Sequence, residues 1–344
     1  SARDTFSDRA FTGAGQTFRV TFEPGTEISN ASIEFSEPYI FDQPYSNTDE
    51  AYYRTYIREH WDESRAGGRV TFGKRINYIW STSVGVRGED VNVSSIENYY
   101  PLYDRISVIN PITGQPNINP ATGAAITQPR SPRAPEIIAL AGHNVLSSAQ
   151  FQLRRDTTNH GPLTYKGTDT IFGYEYAGAL GGDFHFHKFT LGYDAYQPVF
   201  EDLLDRKTVL SFHVESGYIT DNAPFFERFY GGGIGSIRGF SYRGVSPRAG
   251  RENDPVGGNF NLVGTLELNY PIYGENLRGV IFSDAGTVEP DVRIHTIRAS
   301  VGAGVRLVLP FFGQAPLALD FAVPIFKAPE DETQFFSFSF GKSF

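Results

Sequence analysis

The sequence predicts an all-β protein, a transmembrane antiparallel β-barrel, and three observations support this fold class. Aromatic residues form 15% of the 344 residues and glycine occurs 36 times, which is typical of strands and tight turns rather than helices. Apolar and polar residues alternate through many segments of about ten residues, the length with which a strand crosses a bilayer. Short connections alternate with long polar ones, as at the two rims of a membrane barrel.

The alternating segments define about thirteen strands. In residues 316–325, for example, Leu319 and Phe321 share one face, whereas Ala318 and Asp320 share the other. Apolar faces of this kind would contact lipid, and faces with glycine, serine and charges would line a water-filled lumen. A soluble β-sandwich also alternates, but its strands usually have about five or six residues, so we favour the barrel. The predicted strands lie near residues 15–24, 28–41, 50–64, 67–76, 77–93, 144–159, 168–180, 184–199, 208–218, 261–270, 296–309, 316–325 and 334–344.

We expect residues 1–344 to form one barrel domain with two long connections at one rim. Residues 94–136 are rich in proline and predict an irregular extracellular loop. Residues 221–259 contain the run FYGGGIGSIRGF at 229–240, whose glycines allow a tight fold and a close approach to other backbone.

Several function classes are disfavoured by composition and by missing motifs. A formal net charge of −9 argues against a nucleic-acid binder, and the absence of cysteine excludes disulfides and cysteine-based metal sites. The glycine-rich run lacks the Lys-Ser/Thr of a phosphate loop, and Arg238 stands where a dinucleotide fingerprint needs glycine. His185 and His187 share a strand face, but a metal site needs three or four ligands, so we interpret them as a polar rim or lumen-facing pair. We therefore predict no catalytic residue, no metal, no cofactor and no enzymatic activity.

Arg238 is the main candidate for a structural site. A guanidinium in a confined space needs a carboxylate partner, and a bidentate pair is the most favourable arrangement. Glu267 lies on the polar face of its strand. The face of Asp284 stays open, because Val280 and Phe282 share its parity. We predict that one or both carboxylates anchor the loop inside the lumen.

Four short motifs resemble those of the outer-membrane assembly and secretion superfamily. SIRGF at 236–240 is similar to the [V/I]-R-G-[F/Y] signature of its sixth extracellular loop, and Phe282–Gly286 is similar to its F-x-D-x-G strand motif. Glu267 matches the acidic strand position, and the ending QFFSFSFGKSF resembles the last strand. The resemblance is strongest from 207 to 344 and is closest to the BamA-type assembly factors. The site residues that it implies are Ile237, Arg238, Gly239 and Phe240 in the loop, their partners Glu267, Asp284 and Gly286, and the last-strand residues Phe336, Phe338, Phe340, Gly341 and Phe344.

This resemblance implies a function and a larger protein. In the family the loop folds back into the lumen, where its arginine pairs with the acidic strand positions. A full barrel would have about 16 strands, with the first one or two missing from this chain, and POTRA domains would precede it. The implied function is insertion and folding of β-barrel precursors into the bacterial outer membrane, through a seam between the first and last strands.

The implied partners are outer-membrane lipid and lipopolysaccharide, unfolded β-barrel precursors and accessory periplasmic lipoproteins. The last strand would serve both as the seam and as the insertion signal of the protein itself. Two alternatives stay open, a polypeptide-secretion transporter of the same superfamily and a passive porin-like channel.

Overall fold

One antiparallel sheet forms almost the whole fold. The computed structural model describes residues 15–25, 28–40, 43–58, 60–96, 105–107, 115–120, 124–125, 127–129, 133–159, 163–220, 223–274, 276–308 and 316–340. Fourteen strands follow one another in the sheet in chain order, and two short hairpins, β6–β7 and β12–β13, interrupt that order. The strands are β1 (Thr17–Glu23), β2 (Ile28–Glu37), β3 (Tyr45–Ile57), β4 (Asp62–Arg75), β5 (Trp80–Ser94), β6 (Arg105–Ser107), β7 (Thr127–Pro129), β8 (Gly142–Asp156), β9 (Gly167–Ala177), β10 (Phe186–Glu201), β11 (Lys207–Ile219), β12 (Arg248–Ala249), β13 (Asp254–Pro255), β14 (Phe260–Tyr273), β15 (Leu277–Glu289), β16 (Arg298–Val308), β17 (Pro316–Phe326) and β18 (Phe336–Phe340).

The predicted alternation of faces is confirmed along the strands. In β17, Phe321 and Val323 are 46% and 51% exposed, whereas Asp320 and Ala322 are both 2% exposed. The face that carries the exposed apolar residues is called the outer face below, and the opposite face is called the inner face. An apolar outer face with a polar inner face is the arrangement of a membrane barrel.

One strand prediction was wrong, and one strand was predicted without bounds. The predicted strand 50–64 is divided by a turn, at which the backbone N–H of Arg58 donates to the carbonyl of Trp61 at 2.9 Å. Residues 58–61 contain neither glycine nor proline, so no turn signal marked the division. The alternation gives no bounds for β15, the strand of the predicted Phe282–Gly286 motif, because Val280 and Phe282 lie on its inner face beside Asp284 and obscure the pattern.

The inner loop, defined here as residues 223–259 between β11 and β14, contacts both halves of the sheet. Arg238 of this loop forms ion pairs with β14 and β15, and Glu227 forms ion pairs with β4, β5 and β10. A single connection can reach all of these strands only if the sheet curves around it. The inner loop therefore lies against the inner face of both halves of the sheet.

The main apolar core lies between the inner loop and the inner face. Its largest fully buried side chains include Phe225, Phe240 and Ile237 of the loop and Phe186 of β10. A short helix, α1 (Pro135–Ala139), adds Ile137 to the same cluster. The core thus sits at the end of the barrel that carries the long connections. Within the described part of the chain, no helix is long and apolar enough to span a membrane.

His187, one of the two histidines considered above, does not face the lumen. This side chain stacks on Tyr176, with 4.8 Å between ring centroids, and its Nδ1 lies 2.9 Å from the hydroxyl of Tyr174. It shares the outer face with Phe189, which is 37% exposed, so the lumen-facing alternative is wrong for His187. No group of metal-ligating side chains occurs among the described residues.

Candidate functional site

A tight turn at the tip of the inner loop presents Arg238 to the sheet. The backbone N–H of Gly233 donates to the carbonyl of Phe240 at 2.9 Å and closes the turn. Gly239 has a φ of +89°, in the left-handed region that favours glycine. A Cβ atom at Gly239 would also lie 3.3 Å from Ser300 Cβ and 3.4 Å from Ala322 Cβ. Glycine at this position therefore lets the turn lie flat against β16 and β17.

Arg238 binds Asp284 through three hydrogen bonds. Its Nε donates to Oδ2 at 2.8 Å, its Nη2 donates to Oδ1 at 2.9 Å, and its backbone N–H donates to Oδ2 at 2.9 Å. Two parallel bonds from one guanidinium to one carboxylate fix the direction of both groups. Asp284 thus holds both the side chain and the backbone of the loop tip.

Glu267 and Phe282 complete the contacts of Arg238. The Nη1 atom of Arg238 donates to Oε2 of Glu267 at 2.8 Å. The guanidinium carbon lies 3.3 Å from the centroid of the Phe282 ring, an arrangement in which the negative face of the ring attracts the cation. This contact explains why Phe282 lies on the inner face, where its ring packs against the guanidinium of Arg238.

A second ion pair extends the site along the inner face. Nη1 of Arg306 donates to Oδ1 of Asp320 at 2.6 Å, and Nη2 of Arg306 lies 3.5 Å from Oε2 of Glu267. Nη1 of Arg238 lies 3.8 Å from Oδ2 of Asp320. Two guanidinium groups and three carboxylates therefore form one connected network across β14, β15, β16 and β17.

The network is buried, so each charged side chain in it needs a partner of opposite charge. Arg238 is 4% exposed, Glu267 is 6% exposed and Asp284 has no exposed surface. Burial alone would lower the pKa of Arg238, but the hydrogen bonds and charges of Asp284 and Glu267 outweigh it and raise the pKa above the usual value. The guanidinium of Arg238 thus stays charged, and its ion pairs with Asp284 and Glu267 hold the loop.

The other predicted loop and strand positions lie around this network. Ile237 and Phe240 are 0% and 1% exposed and belong to the apolar core, so they secure the loop on either side of Arg238 and Gly239. Gly286 faces β14 closely, because a Cβ atom there would lie 2.7 Å from the carbonyl oxygen of Leu262. This glycine lets β14 and β15 pair tightly beside Asp284.

The predicted last-strand residues are only partly described. Phe336 and Phe338 are 43% and 62% exposed on the outer face of β18, and Phe340 is the final residue of that strand. Gly341 and Phe344 lie outside the described residues. Phe336 and Phe338 lie on the face of the sheet opposite to the Arg238 network.

The inner loop nevertheless contacts the segment that leads into β18. The backbone N–H of Ser241 donates to the carbonyl of Glu332 at 2.9 Å, and the N–H of Gln334 donates to the carbonyl of Gly239 at 3.0 Å. Phe240 and Thr333 form a β-bridge between these two bonds. The residue next to Arg238 is therefore hydrogen-bonded to the chain two residues before the last strand.

Sequence reasoning missed three residues of these contacts. The alternation of residues 296–309 and 316–325 places Arg306 and Asp320 on the polar faces of their strands, but nothing in the sequence indicates that Arg306 pairs with both Asp320 and Glu267. Glu227 is 5% exposed and pairs with β4, β5 and β10. An acidic residue inside the aromatic run FFERFY was the available signal for Glu227, because a carboxylate among buried rings requires a cationic partner.

A membrane β-barrel with a loop ion-paired to the inner face of its sheet is the class of protein that this fold and site define. Residues 11–344 match the Omp85 superfamily domain, and the chain belongs to that superfamily. Membership and the barrel fold make it a β-barrel of the bacterial outer membrane.

Assembly proteins are among the similar sequences. The outer membrane protein assembly factor BamA of Neorickettsia risticii is 30% identical over 193 residues, which cover 52% of this chain and 25% of that protein. BamA of Nitratidesulfovibrio vulgaris is 31% identical over 213 residues, which cover 59% and 26%. The sorting and assembly machinery component 50 homolog of Bos taurus is 30% identical over 208 residues, which cover 54% and 42%. The matched part thus spans about a quarter of the two BamA relatives.

A solved structure shares the fold. The crystal structure of BamA from Haemophilus ducreyi lacking POTRA domains 1–3 superposes with a TM-score of 0.71 at 20% identity, covering 95% of this chain and 64% of that chain. The similarity supports the antiparallel barrel described above.

Proposed function

We propose that this chain is the membrane domain of a factor that inserts and folds β-barrel precursors into the outer membrane. Omp85 membership and the names of the similar BamA and sorting-machinery proteins support this function. The observation that carries it is the Arg238 network. A passive pore has no need of a buried arginine that holds a loop inside its lumen on two carboxylates.

The edges of the sheet offer a mechanism. Strands β1 and β18 stand at the two ends of the strand order, and β18 pairs with β17 over five residues. An edge strand presents unpaired N–H and C=O groups, and a precursor strand in a membrane must pair all of its own. In this proposal the precursor adds to an edge by β-augmentation, through a seam between the first and last strands.

The inner loop would control the approach to that seam. The N–H of Ser241 donates to the carbonyl of Glu332, and the carbonyl of Gly239 accepts from the N–H of Gln334, so the loop tip is linked to the chain that enters β18. Arg238 would thus organise both the lumen and the position of the last strand without taking part in chemistry. Phe336 and Phe338 would contact lipid beside the seam. Phe340, Gly341 and Phe344 remain predicted parts of the seam and of the insertion signal.

The proposed partners follow from this role. They are unfolded β-barrel precursors, outer-membrane lipid with lipopolysaccharide, and accessory periplasmic lipoproteins. We also propose that residues 94–136 face the cell exterior, and that POTRA domains precede the barrel in the native protein and deliver the precursors. A secretion transporter of the same superfamily would use the lumen for an extended polypeptide instead.

Reconstitution of the native protein in liposomes tests the proposal. A urea-unfolded β-barrel precursor is added, and its folding is followed by heat-modifiable mobility and by protease protection. We expect the precursor to fold faster than with empty liposomes, and the Arg238→Ala variant to lose most of the gain. Transfer of an unfolded polypeptide into the vesicles without any barrel folding would favour the transporter. Solute flux as the sole activity would favour the porin-like channel.

A further inference from the structure

Glu227 is a buried carboxylate that lies far along the inner loop from Arg238. It ends a 3-10 turn, Phe225–Glu227, and is 5% exposed. Its Oε1 lies 3.0 Å from Nη1 of Arg65, and its Oε2 lies 3.2 Å from Nη2 of Arg87 and 3.7 Å from Nζ of Lys188. One loop carboxylate thus serves three cations, which come from β4, β5 and β10.

Two of these cations also bind the backbone of the loop. Nζ of Lys188 donates to the carbonyl of Glu227 at 2.9 Å, and Nη2 of Arg65 donates to the carbonyl of Phe226 at 2.8 Å. These bonds fix the course of the chain as well as the side chain. The arrangement parallels the Arg238 contact, where Asp284 also accepts a backbone N–H.

The charge state of Glu227 is set by these neighbours. Burial alone would raise the pKa of its carboxyl group, but Arg87, Lys188 and Arg65 outweigh burial and lower the pKa well below the usual value. The carboxylate is therefore ionised at neutral pH. Removing it would leave buried cations without their shared partner, which is costly in a site of low dielectric constant.

We propose that Glu227 is a second wall anchor of the inner loop, and that the Glu227 and Arg238 anchors together hold the loop as a plug across the lumen. Glu227 is a positioning residue on the side of β4, β5 and β10, and Arg238 acts on the side of β14 and β15. The inference goes beyond precursor insertion, since a plug is needed to keep the outer membrane sealed whatever the barrel handles.

A polar cavity beside the anchor shows what the plug would close. A space of about 520 Å³ is lined by Glu175 and Lys188, which belong to the anchor, and by Glu50, Arg69 and Gln150 of the inner face. Glu175 accepts from Nη2 of Arg87 at 2.8 Å, so the anchor forms part of the cavity wall. Release of Glu227 would join this polar space to the end of the barrel with the long connections.

The chain contains a natural reporter for this contact. Trp61 is 3% exposed, and its ring packs edge-on against Phe225 of the inner loop at 5.8 Å between centroids. Since the only other tryptophan is Trp80, a Trp80→Phe background leaves Trp61 emission as a measure of loop docking. Glu201 provides a matched control, because it is 48% exposed in its side chain and pairs with Lys207 at 3.2 Å in a short turn.

The test compares Glu227→Gln with Glu201→Gln in the full protein, by Trp61 emission in liposomes and by ion conductance in planar bilayers. We expect Glu227→Gln to shift the emission to longer wavelength and to raise the open-channel probability at least about tenfold, while the barrel keeps its heat-modifiable mobility. We expect Glu201→Gln to match the parent protein. Emission and conductance of Glu227→Gln within about twofold of the parent would overturn the proposal.

Two further variants keep the result interpretable. Lys188→Gln leaves Glu227 with both arginines and should give a smaller change of the same sign, so it serves if Glu227→Gln does not fold. Glu227→Asp keeps the charge and should restore part of the closure, which loss of packing alone would not produce. Neither readout requires a precursor, so a failed folding assay and a failed plug assay would refute different proposals.

Discussion

Two of the contacts between the inner loop and the barrel wall have reversed charges. At Arg238 the loop supplies the cation and the wall supplies the carboxylates, whereas at Glu227 the loop supplies the carboxylate and the wall supplies the cations. The first contact is a bidentate pair of defined direction, and the second is one carboxylate shared by three cations at 3.0–3.7 Å. The difference indicates that the Arg238 contact specifies where the loop lies. The Glu227 contact adds attraction that depends less on direction.

The largest effect is expected from Arg238→Ala. This change leaves Asp284 and Glu267 buried without their shared cation, which costs about 3–5 kcal/mol in comparable buried pairs. We expect lower precursor-folding activity and a lower temperature for the heat-modifiability transition.

Arg293 supplies the control for that experiment. Its side chain is 76% exposed, and its Nε lies 3.7 Å from Oδ2 of Asp291, so Arg293→Ala should resemble the parent protein. Normal growth and normal heat-modifiability of Arg238→Ala would contradict the anchor role of Arg238.

A comparison of Asp284→Asn with Glu267→Gln should separate the contribution of the bidentate geometry to stability from the contribution of charge. Asp284 accepts three bonds from Arg238, and Glu267 accepts one while also lying 3.5 Å from Arg306. We expect Asp284→Asn to destabilise the barrel by about 2–4 kcal/mol and Glu267→Gln by about 1–2 kcal/mol. Urea titrations of tryptophan emission measure both. Equal losses would mean that the bidentate geometry adds nothing.

Gly239→Ala tests the backbone at the tip of the loop. Its positive φ disfavours a side chain, and a new Cβ atom would press on Ser300 and Ala322. We expect a loss of about 1–3 kcal/mol in the same titration. Gly192→Ala is the matched control, because its φ is not positive and a Cβ atom there meets no other atom within 4 Å. A loss no larger than that of the control would show that the turn can shift.

The ion pairs of Glu227 should break only at low pH. Because the folded protein lowers the pKa of Glu227 below its usual value of about 4.5, the stabilisation is complete above that pH and is lost as the pH falls through the lowered pKa. We expect Trp61 emission in the Trp80→Phe background to stay constant between pH 7 and pH 5 and to shift only well below pH 4.5. A shift centred near pH 6 would disagree with strong pairing to Arg65, Arg87 and Lys188.

Much of the Arg238 site could be predicted from sequence, because a short motif and the alternation within one strand indicate it. The motif SIRGF marks Arg238, and the alternation of its strand places Glu267 on the inner face. Asp284 could not be assigned to a face, because Phe282 serves the site as a floor and breaks the polar pattern of β15. The alternation places Arg306 and Asp320 on the inner face, but the pairing of Arg306 with both Asp320 and Glu267 depends on the register between β14 and β17.

The sequence by itself determined the strand alternation, the membrane-barrel class and the motif residues, because period-two patterning and glycine-rich turns are local properties of the chain. The tertiary structure alone decided which distant charges meet. Glu227 and Arg65 are 162 residues apart in the chain, and their contact exists because the sheet curves until β4 faces the inner loop. Ion pairs across a lumen depend on that curvature and on strand register, neither of which a single strand encodes.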